Sequence, residues 1–149
     1  VRATLEDVAI WSSGGTPSRS NPSYYTGTIP WIKTGELGVR TIRDTEEHIS
    51  ESAIQASSAK VFPRGSVAVA MYGATIGKAS ILGTEASTNQ ACAVGIPTAV
   101  ITDFLYFYLL SQTQAFIDAG KGGAQPNISQ AIVKRWPVLL PPKSASFEF

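Results

Sequence analysis

The sequence predicts an α+β domain: a mixed β-sheet of short strands, one long helix at about residues 103–119, and large polar loops. Three observations carry this expectation. Apolar residues alternate only in short runs, which suits strands. One segment alone, Asp103 to Ala119, keeps helical spacing over several turns. Between such runs lie stretches rich in Gly, Pro and Ser, one of them 17 residues long (12–28). Compact domains rarely leave such a length irregular unless it serves a purpose.

In chain order, Thr4-Leu5-Glu6-Asp7 fits a capping box that starts a helical turn, and Val8 to Trp11 reads as strand. Residues 12–28 hold three Gly and two Pro and form the long loop. Ile29-Pro30-Trp31-Ile32-Lys33 reads as a short strand that Pro30 places at an edge or entry. Lys33 to Arg43 is a second polar loop or hairpin, and Ser50 caps a short helix ending by Ser58. Phe62-Pro63-Arg64-Gly65 turns the chain into a strand at Ser66–Met71. Gly73–Gly77 then forms an enlarged tip, and Lys78–Leu82 returns. Gln90–Ile96 is a further strand. The long helix is capped by Thr102 or Asp103, buries Phe104, Leu105, Tyr108, Leu109 and Phe116, and ends at Gly120. A glycine-rich loop follows to Pro126. Asn127 caps a short helix through Arg135, and Trp136–Leu140 is a strand closed by Pro141-Pro142.

A chain of 149 residues has room for one core. Hydrophobic residues at 44% exclude wholesale disorder. Charged residues are only 15%, so the polar surface rests on hydroxyls, 16 Ser and 13 Thr. A net charge of +1 excludes an indiscriminate polyanion binder. The single cysteine, Cys92, rules out an internal disulfide framework, and one His with one Cys leaves too few ligands for the usual zinc sites. No run approaches the ~18 apolar residues of a membrane helix. The chain opens at Val1 without a secretory leader pattern and reads as a segment of something longer.

Catalytic motifs fail on inspection. Lys33-Thr34-Gly35 and Ser57-Ser58-Ala59-Lys60 resemble elements of penicillin-recognising enzymes but stand in the reverse order and lack a third element. Gly73 to Lys78 falls one residue short of a phosphate loop and has Ala79 where the magnesium-binding hydroxyl belongs. His48 sits among acids on a solvated segment, without a nucleophile at any recognisable spacing. Asp44, Glu46 and Glu47 read as a solvated acidic face, and Cys92 as a small core residue. What remains is distributed binding chemistry. The stretches 52–84 and 104–143 each carry +3, and each flanks a glycine-rich tip, while the acids concentrate between Glu36 and Glu51.

Several segments, in order, then match one family: Gly14-Gly15-Thr16-Pro17-Ser18-Arg19; Tyr25 to Leu37 with Ile29-Pro30-Trp31-Ile32-Lys33-Thr34-Gly35-Glu36; Gly65 to Lys78 with Met71-Tyr72-Gly73-Ala74-Thr75-Ile76-Gly77; Thr88-Asn89-Gln90-Ala91-Cys92; Gly122 to Ser129; and Val138 to Pro142. Together they resemble a target-recognition domain of the specificity subunit of type I restriction-modification systems. The resemblance implies a cytoplasmic, non-catalytic domain that reads one half of a bipartite duplex DNA target, mostly through the major groove. The implied partners are double-stranded DNA, the methyltransferase subunits and through them the restriction subunit, and a second recognition domain in the same or another chain. S-adenosylmethionine, ATP and magnesium belong to the partner subunits, so no cofactor is expected here. Residues 1–142 then form the recognition domain, and 143–149 a tail or the cut start of the spacer helix.

Loop placement and chemistry nominate the contacts. Arg19, Lys33, Lys78 and Lys121 are candidates for phosphate or base contacts. Thr16, Ser18, Thr34, Tyr72, Thr75, Asn89, Gln90, Gln125 and Asn127 are candidates for hydrogen-bonded positioning. Base reading is also open to the stretch from Gly38 to Ser58, with Arg40 and Arg43, because family members read different sequences. The rival reading is a docking module for the methyltransferase subunit that has lost DNA reading.

Overall fold

The computed structural model describes residues 2–122 and 126–140. Its strands fall into three sheets. The principal sheet runs in the order β2 (Ala9–Ser13), β9 (Cys92–Pro97), β6 (Val67–Ala70), β7 (Ala79–Leu82) and β4 (Thr41–Ile42). A second sheet sets β3 (Ile29–Ile32) between β5 (Glu47–Ile49) and β8 (Ser87–Thr88). A third pairs β1 (Arg2–Thr4) with β10 (Pro137–Leu139), Arg2 opposite Leu139. The pairings β3–β8 and β4–β7 are parallel and the others antiparallel, so the sheets are mixed.

The strand sequences explain two-sided burial. In Val67-Ala68-Val69-Ala70 the valines face one core with Trp11, Ala79 and Ile81, and the alanines face another with Ile32, Leu82, Cys92 and Val94. The first core is covered by the helices: Leu5 and Val8 of α1 (Leu5–Val8), Leu105 and Leu109 of α3 (Thr102–Ser111), Phe116 of α4 (Thr113–Ala119) and Val133 of α5 (Gln130–Arg135). A third cluster packs Trp31 and Ile49 against Ala53 of α2 (Glu51–Ala56), with Tyr24 and Tyr25 over it. The buried indoles keep partners: Trp11 Nε1 donates to Leu5 O at 2.9 Å and Trp31 Nε1 to Gly15 O at 3.1 Å.

Several expectations need correction. The long helix is two helices, broken at Gln112, whose backbone leaves the helical region at φ −100° and ψ 3°. The break is held from outside. Gln112 Oε1 accepts from Trp136 Nε1 at 3.0 Å, and Thr113 Oγ1 donates to Gly77 O at 3.2 Å. With the axis redirected, Phe116 enters the core 4.3 Å from the Trp136 ring, centroid to centroid. The short helix near the C-terminal side is capped by Ser129, whose Oγ accepts from Ile132 N at 3.1 Å, not by Asn127. Pro30 lies in a central strand rather than an edge strand, though at the entry of that strand, as the sequence also allows. It is tolerated because β8 reaches only Trp31 and Ile32, so no ladder is interrupted on that side. The capping box at Thr4, the Ser50 cap and the β6–β7 hairpin fall where the sequence places them. No helix among the described residues is long and apolar enough to cross a membrane.

Candidate functional site

The registers of the principal sheet set Ser13 opposite Ala93, Ala70 opposite Cys92, and Val69 opposite Ala79. The loops after β2 and β6 and before β7 and β9 therefore leave from one end of the sheet. Backbone hydrogen bonds of 2.8–2.9 Å stitch them to their neighbours: Gly15 N to Thr88 O, Asn89 N to Ile32 O, Met71 N to Ala91 O, Gly73 N to Pro126 O and Ile128 N to Met71 O. The first joint needs a glycine nearby. A Cβ on Gly14 would stand 2.0 Å from Thr88 O, so no larger residue lets these loops meet.

The Met71–Lys78 tip is pinned by backbone hydrogen bonds and carries exposed side chains. Gly77 N donates to Ala70 O at 3.0 Å, and Lys78 N to Thr75 O at 2.9 Å. Gly77 adopts φ +85°, and a Cβ there would lie 2.9 Å from the Thr113 side chain. Thr75 Oγ1 donates to Tyr72 O at 2.9 Å. Tyr72 is 47% exposed at the crest, where its backbone bridges to Asn127. Lys78 is exposed and has no acidic partner among the described residues. Beside the tip, Thr16 Oγ1 donates to Gln90 Oε1, which leaves the Gln90 amide free to donate outward. Asn89 turns inward: its Oδ1 accepts from Ala91 N at 3.1 Å and holds the turn.

The acidic face of the sequence is an ion-pair network. Arg19 grips Glu47 with both arms of its guanidinium, at 2.7 and 3.0 Å, and lies 4.1 Å from the Tyr25 ring centroid. Lys33 Nζ reaches Glu46 at 2.8 Å and Glu47 at 3.0 Å. Hydrogen bonds from Arg19 and then Lys33 hold the Glu47 carboxyl down at about 2. The Glu47 bond raises the pKa of Arg19, and bonds to Glu46 and then Glu47 raise that of Lys33. His48 bonds Asp44 at 2.6 Å, which lowers the Asp44 pKa. Arg19 and Lys33 are thus matched by the protein's own acids: Arg19 fastens the 13–20 loop to β5, and Lys33 ties the end of β3 to the start of β5.

Of the nominated residues, Thr16, Lys33, Thr34, Tyr72, Thr75, Lys78, Asn89, Gln90, Lys121 and Asn127 gather at this end. Ser18 and Arg19 join them through Glu47, and Lys121 pairs with Asp118 at 3.4 Å. Gln125 and the 143–149 tail lie outside the described residues. Arg40 and Arg43 stand apart, beside the far end of β7. Lys60, which is not among the nominated residues, also belongs here: its Nζ donates to Ser13 O at 3.1 Å. Its signals in the sequence are the rejected Ser57–Lys60 motif and membership of the acid-free stretch 52–84. Among the described residues no group of three or more His, Cys, Asp or Glu could hold a metal ion.

The family model described as type I restriction modification DNA specificity domain matches residues 2–146. The chain belongs to that family. Among curated relatives, a type I restriction enzyme specificity subunit of Escherichia coli is 26% identical over 145 residues, which is 93% of this chain and 36% of that protein. A specificity subunit of Methanocaldococcus jannaschii is 27% identical over 92% of this chain and 33% of its own length. The specificity domain described here therefore spans about a third of the relatives it matches. Its fold is that of the HsdS subunit from Thermoanaerobacter tengcongensis, with TM-score 0.75 and 15% identity over 99% of this chain and 34% of that one. It also matches the S subunit of the M. genitalium type I system, with TM-score 0.65 and 14% identity over 93% of this chain and 34% of that one.

Proposed function

We propose that this specificity domain reads one half of a bipartite duplex DNA target, with the loop end of the principal sheet inserted mostly in the major groove. The observation that carries the reading is the convergence of five polar loops on one hydrogen-bonded surface. There Thr16, Thr34, Tyr72, Gln90, Asn127 and Lys78 offer hydrogen-bonding groups and charge to a ligand. Few of these groups are charged, so discrimination rests on directional hydrogen bonds to base edges, with phosphates supplying position. Arg19 and Lys33 act by fixing the loops, since their charge is spent on Glu46 and Glu47. The domain itself does no chemistry. Methylation and cleavage, with S-adenosylmethionine, ATP and magnesium, fall to methyltransferase and restriction subunits that it directs in the cytoplasm. A second recognition domain reads the other half-site.

A titration of the chain with duplex DNA across salt concentrations tests this. A linear fall of log affinity with log salt is expected, with a slope of about −0.9 for each phosphate contacted. Selection from a randomised duplex library is expected to return a short fixed half-site. Absence of salt-dependent duplex binding, with methyltransferase binding retained, would leave the domain a docking module and overturn the proposal.

A further inference from the structure

Half of the chain's six arginines surround one hollow that lies away from the loop end. Arg40, Arg43 and Arg64 line a space of about 260 Å³ beside Gly83, Thr102 and Asp103. The backbone fixes their convergence. Ile81 N donates to Arg40 O at 2.8 Å, Gly83 N to Ile42 O at 2.7 Å, and Gly65 N to Leu82 O at 2.8 Å. Thr102 Oγ1 ties the start of α3 to Gly65 O at 2.7 Å. The Arg40 guanidinium lies 5.2 Å from the Phe107 ring centroid and 3.8 Å from Asp103.

The charges do not cancel. Asp103 is the one acid of the lining, so three arginines leave a surplus of +2. Asp44, next to Arg43 in the chain, is engaged with His48, and Glu85, two residues past Gly83, is not among the lining residues. Arg43 and Arg64 have no acidic partner among the described residues. The first turn of the ten-residue α3 adds the positive end of its dipole to the wall. Guanidinium forks match a tetrahedral phosphate. All three arginines are exposed, so the hollow suits a phosphate carried on a larger polyanion rather than an enclosed small molecule.

We propose that Arg40, Arg43 and Arg64 form a second phosphate site, which grips the backbone of duplex DNA at a distance from the reading loops. The proposal rests on the DNA-reading function above. The spacing favours it: the hollow is lined from Ile81 of β7, three residues on from Lys78 at the tip, which is about 10 Å at ~3.3 Å per residue. The major groove is about 12 Å wide. Loops seated in the groove therefore bring a flanking phosphate strand toward the β4 edge, where Gly38 neighbours Lys78 and the chain continues to Arg40 and Arg43.

The test compares the 149-residue chain with Arg43→Gln/Arg64→Gln against several duplexes of about 20 base pairs and unrelated sequence. The salt slope is expected to become shallower by about 1.8, two contacts at ~0.9 each. Affinity should fall by the same factor for every sequence, because phosphate contacts carry no base information. Arg43→Lys/Arg64→Lys, which keeps the charge, should restore most of the slope; failure to do so traces the loss to folding and overturns the proposal. An unchanged slope in the Gln variant, with normal binding by the parent chain, overturns the second site alone. A flat response of the parent chain overturns the reading function itself and this site with it. Inorganic phosphate serves as a separate probe. Stabilisation of the parent chain by phosphate, lost in the Gln variant while the duplex slope stays unchanged, identifies a free-phosphate site and also overturns the proposal.

Discussion

Glu47 is the residue on which the candidate surface depends most plainly, because it takes two cations from two loops. Its carboxyl drops from an ordinary 4.5 to about 2 in the fold. A depressed carboxyl stabilises the folded state above the unfolded value and loses that contribution as pH falls from about 4.5 toward 2. Glu47→Gln is therefore expected to destabilise the chain at pH 7 by roughly 1 kcal/mol, a figure held down by solvent screening of a partly exposed pair. The deficit should shrink as pH falls below 4.5 and approach zero only near pH 2. Urea unfolding at both pH values checks it; a deficit independent of pH would refute the ion-pair assignment. The sequence shows the signs of these charges but hides the match, because Arg19 and Glu47 are 28 positions apart and meet only through tertiary structure. Cys92 was legible, since an apolar strand surrounds it. Burial pushes its thiol up to about 12, which leaves it inert as a nucleophile at neutral pH.

Elements show where sequence reading succeeds and where it stops. Hairpin β6–β7 and the caps at Thr4 and Ser50 are local, so alternation and cap chemistry reveal them. The Gln112 break is not local. Helical spacing runs through Thr113 and Phe116 without a Gly or Pro, and the partners that enforce the break, Trp136 and Gly77, are remote in sequence. Strands β4 and β8, two residues each, carry no period to detect and exist only as parallel partners of β7 and β3. The tip gives the prediction at this scale. Gly77→Ala adds a Cβ against Thr113 at a φ of +85° and should cost about 2 kcal/mol through strain and displaced packing. It should also weaken duplex binding, because Tyr72 and Lys78 sit on the displaced loop. Thermal unfolding and duplex titration measured on one preparation check both; intact stability would mean that the contact with α4 yields freely.

The loop surface and the arginine hollow lie toward two ends of the principal sheet, and neither is readable from a segment alone. The resemblance in the motifs located the loops. The ladder registers, which the sequence does not display, decide that ten of the nominated residues gather together and that Arg40 and Arg43 do not. The pairing of β1 with β10 closes the chain on itself, with Arg2 opposite Leu139. A permutant that links Leu140 to Arg2 by a short Gly-Ser bridge and opens the chain between Thr84 and Glu85 is expected to fold. Its cooperative unfolding transition should lie within a few degrees of the parent's by circular dichroism. Loss of a cooperative transition would show that the order of chain entry matters beyond these contacts. That closure also has a mechanical consequence. With Arg2 and Leu139 on paired strands, a pull applied at those two residues would unzip β1 from β10 before it reached the principal sheet.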